Sequence, residues 1–181
     1  DRAASFCRAN GFTPKGVGIS AAGHIDVHAG VVAGTCGNLP GWENVPLRQA
    51  FADAFFVPAT VMNDVNCALT GEAWVGRAKG IAHAVMVTLG TGVGCAALVD
   101  GAILGGQSGF AGEGGHFPTH AGGLLCTCGN RGCYEQYASV TALLRMAKEA
   151  CADAPEDGRA FFSRAAAGDA KIISILLHWI E

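Results

Sequence analysis

Cys126, Cys128 and Cys133 lie within eight positions of one another in the run GGLLCTCGNRGC, so three thiols can meet around one point. In the spacing C-x-C-x4-C, Gly129 and Gly132 let the backbone fold sharply enough to aim all three sulfurs at one centre. A tetrahedral zinc ion would then need a fourth ligand. His116, ten residues before Cys126 in AGEGGHFP, is the candidate, because the proline and glycines between them allow the chain to loop back. A closed shell of one histidine and three cysteines organises a loop instead of activating water. Two other readings stay open: reduced thiols without a ligand, or a disulfide. A bridge within C-x-C makes a strained ring, however, and any disulfide here leaves one thiol over.

Three other stretches hold residues suited to chemistry. In TLGTGVG, residues 88–94, a strand runs into Gly90, Thr91 and Gly92, where missing side chains let backbone amides approach a phosphate; the same glycines also serve a tight hairpin. In MND, Asn63 and Asp64 stand at a strand end directly before a helix. Asp64 is there either a helix cap or a general base at the carboxyl edge of a sheet, where open α/β sheets place ligands. Glu113 and Glu135 bracket the cysteine loop, as solvated charges or, if a metal ties the loop down, as rigid acceptors for sugar hydroxyls.

The elements that must position these residues alternate between strand and helix. A short helix leads through GFTP to a buried strand at KGVGIS, and a hairpin follows at HIDVHAGVV. Leu47, Phe51, Ala54 and Phe55 have helical spacing, PATVMND returns to a strand, and VNCALTGEAWVG forms the next helix with Gly76 near its end. This pattern predicts an α/β layer. A domain boundary falls at GRAKG, dividing residues 1–78 from 79–181. Beyond it come strands at HAVMVTLG and GVGCAALV, a tight turn at Asp100–Gly101, and a mostly helical region from Tyr134 onward.

The totals narrow the function classes. Half of the 181 residues are hydrophobic, 15% are charged and the net charge is −3, so a core is available and no basic field exists to hold nucleic acid. No apolar run suits a membrane span and no basic, apolar leader opens the chain, so a cytoplasmic protein with no membrane partner is expected. The other five of the eight cysteines are scattered singly and read as small core residues. The chain opens in what reads as a helix end and closes on the apolar IISILLHWI, and it is expected to be a piece of a longer protein.

MNDVNCALTGEAWVG, TLGTGVGCAALVDGAIL, AGEGGH and CTCGNRGCYEQYAS, in this order, resemble the ROK family of sugar kinases and sugar-responsive repressors. The resemblance covers nearly the whole chain and favours the zinc reading. It implies an actin-like, hexokinase-type, ribonuclease H-like α/β fold of two domains with a cleft, here truncated at both ends. It implies phosphorylation of a hexose or N-acetylhexosamine by ATP and Mg²⁺, with Asp64 as catalytic base and structural Zn²⁺ on His116, Cys126, Cys128 and Cys133. Gly23, His24, Asn38, Asn63, Asp64, Glu113, His116 and Glu135 match sugar-contacting positions, and Gly90, Thr91 and Gly92 match the nucleotide site. Ala22 and His24 in SAAGHID look more like N-acetylmannosamine or β-glucoside kinases than glucokinases.

The family's Asp-x-Gly-Gly-Thr phosphate loop and its glycine-rich adenosine-side turn do not occur in these 181 residues. The segment alone is therefore not expected to be a competent kinase. The resemblance also implies a homodimer or tetramer at full length. The principal alternative is the effector domain of a sugar-responsive repressor, and a further one is a zinc-stapled binding module without catalysis.

Overall fold

The structure is a computed structural model that describes residues 2–34, 39–107 and 109–181. Its chain forms two compact units, one of residues 1–85 and 96–112, the other of residues 86–95 and 113–181.

In the first unit, helix α1 (Arg2–Ala9) precedes strand β1 (Val17–Ala21), which pairs in parallel with β4 (Ala59–Asn63) in a register running from Val17–Ala59 to Ala21–Asn63. Between them lie the antiparallel hairpin β2 (His24–Asp26) and β3 (Val31–Gly34), and helix α2 (Leu47–Phe55). The hairpin turn is closed by Asp26, whose Oδ1 accepts the amides of His28 and Ala29, both at 2.8 Å. Ala21, Ile25, Val32, Leu47 and Val61 form the buried cluster, flanked by Ile19, Trp42, Val45 and Phe51. Strand alternation and the helical spacing of α2 thus supply one apolar layer.

Helix α3 (Asp64–Val75) starts directly after β4 and ends at Gly76, so the last residue of the strand must itself cap the helix. Strands β5 (Ala84–Leu89), β6 (Val93–Val99) and β7 (Ala102–Ile103) form a sheet in that order. Asp100 and Gly101, at φ of 51° and 79°, turn β6 into β7 with the positive φ pair that the Asp-Gly sequence favours in a two-residue hairpin.

The second unit carries a 3₁₀ turn (Gly114–His116), the cysteine loop, and helices α4 (Glu135–Ala138), α5 (Val140–Ala150), α6 (Gly158–Ala166) and α7 (Ala170–Ile180). Leu143, Ala147, Cys151, Phe161, Ile172 and Ile175 are its buried cluster. The last three helices are started by side-chain caps: Ser139 Oγ accepts the Ala142 amide, Asp157 Oδ1 that of Ala160, and Asp169 Oδ1 those of Lys171 and Ile172. Among the described residues, no helix is long and apolar enough to cross a membrane.

Candidate functional site

His116 ends the 3₁₀ turn, and that turn is pressed against β6 because two glycines leave it room. A Cβ on Gly115 would run into the Val93 carbonyl oxygen, and one on Gly114 would lie 2.6 Å from Cys95 Sγ. Beyond His116, Pro118 bridges to Cys133, Thr119 N donates to Gly132 O at 2.8 Å and Tyr134 N to Phe117 O at 2.9 Å. This pairing brings the third cysteine back to the histidine. The intervening loop closes on itself through Cys126 N to Asn130 O at 2.8 Å and Gly129 N to Cys126 O at 3.0 Å.

The result is a four-membered ligand set. One potential ligand atom from each of His116, Cys126, Cys128 and Cys133 lies within 4.8 Å of every other. His116 Nδ1 is 3.5 Å from Cys126 Sγ, and Cys128 Sγ is 3.6 Å from Cys133 Sγ. Zinc bonds of about 2.3 Å to sulfur and 2.0 Å to nitrogen give a tetrahedron with edges of about 3.5 Å (N···S) and 3.8 Å (S···S). Those two distances are close to the edges of such a tetrahedron, and the donor set of one imidazole and three thiols is one that suits zinc. All three cysteines are free thiols, so the disulfide alternative is not the arrangement adopted.

The two buried thiols of the cluster are shifted in opposite directions. Burial pushes the Cys126 thiol up, but the Cys128 amide and the neighbouring Cys128, His116 and Cys133 side chains more than offset this and bring it down to about 7. Burial, and then the Cys128 and Cys126 sulfurs, push Cys133 up to about 12. A thiolate at Cys133 is thus disfavoured unless a positive ion lies beside it. Gln136 Nε2 donates to Cys126 Sγ at 3.5 Å, supporting charge on that sulfur.

With Nδ1 turned to the sulfurs, His116 Nε2 is on the side of Glu113, 3.8 Å from its Oε2. Glu135 begins α4, two residues after Cys133, and its Oε2 accepts the Val93 amide at 3.0 Å. A Cβ on Gly92 would collide with that same carboxylate oxygen. Gly90, Thr91 and Gly92 form the hairpin turn between β5 and β6, and Gly90 N donates across it to Gly92 O at 2.9 Å. Since Gly90 and Val93 have their amides engaged, an anion at this turn would meet the Thr91 and Gly92 amides.

Asn63, and not Asp64, caps α3. Its Oδ1 accepts the amides of Val65 at 2.9 Å and Asn66 at 3.3 Å, while its Nδ2 donates to Gly23 O at 3.2 Å. Asp64 occupies the first helical position, exposed, with Oδ1 accepting its neighbour's amide, Val65 N, at 3.0 Å. The capping role open to Asp64 in the sequence belongs to the residue before it.

Of the expected site residues, the first unit thus holds Asn63 and Asp64 together with the Gly23–His24 loop, where the His24 ring packs on Phe110 at 4.9 Å between centroids. The second unit holds Glu113, Glu135, the four metal-ligand candidates and the glycine turn. Asn38 lies outside the described residues. Two contributors escaped the sequence reading: Val140 N donates to Gly90 O at 2.9 Å, and Thr141 Oγ1 to Thr91 O at 2.7 Å. Nothing in the order of residues marks a first-turn helix residue as a clamp on a loop 50 positions away. Thr141 also lines an open hollow of about 450 Å³ with Leu144, Arg145, Lys148 and Glu149.

Comparison with known proteins gives this geometry its context. The model of the ROK family matches residues 7–179. A glucokinase of Thermotoga maritima is 40% identical over 133 residues, 74% of this chain and 42% of that protein. A xylose repressor of Caldicellulosiruptor bescii is 36% identical over 80% of this chain and 37% of its own length. Among solved structures, a ROK family glucokinase from Streptomyces griseus in complex with glucose and AMPPNP superposes with a TM-score of 0.82 at 31% identity, covering 94% of this chain and 61% of that one. The chain spans about half the length of the relatives it matches.

Proposed function

The chain belongs to the ROK family and has the actin-like α/β fold of ROK sugar kinases, and from that premise we propose that it is part of an ATP-dependent kinase for a hexose or N-acetylhexosamine. The observation that carries this reading is the division of labour at the end of β4. Asn63 is the cap of the helix, and the Asp64 carboxylate, which accepts the Val65 amide through Oδ1, is exposed at the sheet edge.

In the proposed reaction Asp64 takes the proton of a sugar hydroxyl as that oxygen bonds to the γ-phosphorus of ATP. The bond from the γ-phosphorus to the β–γ bridging oxygen breaks, and ADP leaves with the electron pair. Asn63, Glu113, His116, Glu135, the Gly23–His24 loop and Asn38 would hold the sugar's hydroxyls. The amides of Thr91 and Gly92 would face phosphate oxygens, with Mg²⁺ neutralising the rest. Zinc on His116, Cys126, Cys128 and Cys133 would have a closed shell and supply rigidity, fixing the ring plane of His116 and leaving Nε2 for the substrate side.

Glucokinase relatives, and a solved relative in complex with glucose, make D-glucose the first substrate to try. N-acetylmannosamine comes next, given Ala22 and His24. The repressor relatives support a second reading, in which the same sugar and zinc sites serve a sugar-responsive regulator. The glycine turn and exposed Asp64 favour the kinase. The deciding experiment incubates the full-length protein with Mg·ATP and a panel of hexoses and N-acetylhexosamines and follows ADP. Sugar-dependent ADP release is expected, whereas sugar binding without any turnover, coupled to operator binding, would establish the regulator instead.

A further inference from the structure

The turn Gly90–Thr91–Gly92 has three carbonyl oxygens, and all three are occupied. Gly92 O accepts Gly90 N at 2.9 Å within the turn, while Gly90 O and Thr91 O accept Val140 N at 2.9 Å and Thr141 Oγ1 at 2.7 Å. Both of the latter donors come from the first turn of α5, the helix that Ser139 caps. A peptide plane carries its carbonyl and the next residue's amide on opposite edges. Fixing Gly90 O and Thr91 O toward α5 therefore fixes the Thr91 and Gly92 amides on the other side, and these are the two amides the turn has to offer an anion.

We infer that Thr141 is a positioning residue for nucleotide binding: its hydroxyl anchors the Thr91 carbonyl so that the Gly92 amide is presented to a phosphate oxygen. The inference rests on the turn being a nucleotide phosphate site, as proposed above. Val140 contributes through its backbone N–H, which leaves the threonine hydroxyl as the half of the clamp made by a side chain. Thr141 is itself exposed, so losing its hydroxyl leaves no buried polar group behind on the helix. The cost appears at the turn, where an amide that can swivel must be ordered anew each time the anion binds.

The test measures affinity by calorimetry on the full-length protein, with Mg·ATP and D-glucose titrated separately. Thr141→Val and Thr141→Ala are each expected to raise the Kd for Mg·ATP about three- to tenfold, the range for one hydrogen bond, while the Kd for glucose stays within twofold. Thr141→Ser, which restores the hydroxyl alone, should return the ATP affinity to that of the wild type. Unchanged ATP affinity in both hydroxyl-lacking variants overturns the inference, as does an equal loss for ATP and glucose or a failure of serine to rescue. A wild-type protein that binds no Mg·ATP overturns it too, together with the assignment of the turn. A wild type that binds ATP but phosphorylates no sugar sinks the kinase reading alone, and the affinities of the variants still decide the role of Thr141.

Discussion

The Nδ1 atom of His116 lies 3.5 Å from the Sγ atom of Cys126 while Nε2 lies 3.8 Å from Glu113, so the two faces of one imidazole serve two different neighbourhoods. A ring held this way transmits the state of the cysteine loop to whatever meets Nε2. If zinc binds as proposed, it would fix the ring's orientation by drawing the sulfurs and Nδ1 together.

Metal content is the first expected outcome. The full-length protein should contain about one zinc per chain by elemental analysis, as a single closed four-ligand set requires. Cys133→Ser alters a ligand with no exposed surface and should lose the metal and lower Tm; Cys128→Ser, at an exposed position, should lose it with less damage to packing. Chelation should weaken sugar binding in step with Tm, checked by calorimetry with and without chelator. Undiminished sugar affinity in a metal-free sample would break the link between the cluster and His116.

Asn63 and Asp64 should separate cleanly when changed. Asp64→Asn is expected to cut kcat of the full-length protein by about 10²–10⁴ while the sugar Kd moves little, because a positioned base acts on the rate. Asn63→Ala removes the cap of α3 and should cost about 0.5–2 kcal/mol of stability, read by urea unfolding. Near-normal turnover in Asp64→Asn would take that residue out of the base role.

The parts of this site that could be read from sequence are those whose signal is local. Cys126, Cys128 and Cys133 announce themselves by spacing, Asp100–Gly101 by its turn chemistry, and α2 by the period of Leu47, Phe51 and Phe55; the structure brings the three cysteines together and forms the turn and the helix. The end of β4 was ambiguous because asparagine and aspartate are equally good caps, and only the point where the strand stops decides which one caps. The clamps on the glycine turn from Glu135, Val140 and Thr141 span 42 to 50 positions and involve ordinary residues, so no window of sequence could show them. His116 illustrates a third case: its participation was legible, whereas the nitrogen facing the sulfurs is a property of packing.

Two glycines should respond to alanine with opposite signs. Gly71, inside α3 with open space where a Cβ would go, pays the backbone entropy of glycine without using its freedom, so Gly71→Ala should stabilise by about 0.5–1 kcal/mol. Gly115 is buried, and a Cβ there meets the Val93 carbonyl, so Gly115→Ala must push the 3₁₀ turn off β6, at a cost of about 1–3 kcal/mol. Urea unfolding of both variants checks the pair. If Gly115→Ala were neutral, the tight seating of the His116 turn on β6 would be refuted.

The helical end of the chain should carry an acid-sensitive joint at Asp169. Its Oδ2 accepts from Arg164 Nε at 2.9 Å and Nη2 at 2.6 Å, and its Oδ1 caps α7 through the amides of Lys171 and Ile172. The Arg164 guanidinium, and then the Ile172 amide, hold the Asp169 carboxyl below the usual carboxylate range. A carboxyl whose folded value is depressed contributes stability above its unfolded value of about 3.9, and that contribution disappears as pH falls through the lower folded value. Tm should therefore drop more steeply below about pH 4 in the wild type than in Asp169→Asn, which keeps a capping oxygen but cannot titrate. Asp169→Ala, lacking both cap and ion pair, should melt below Asp169→Asn at pH 7. Parallel acid limbs for wild type and Asp169→Asn in a Tm series from pH 2 to 7 would show that the carboxylate does not couple α6 to α7.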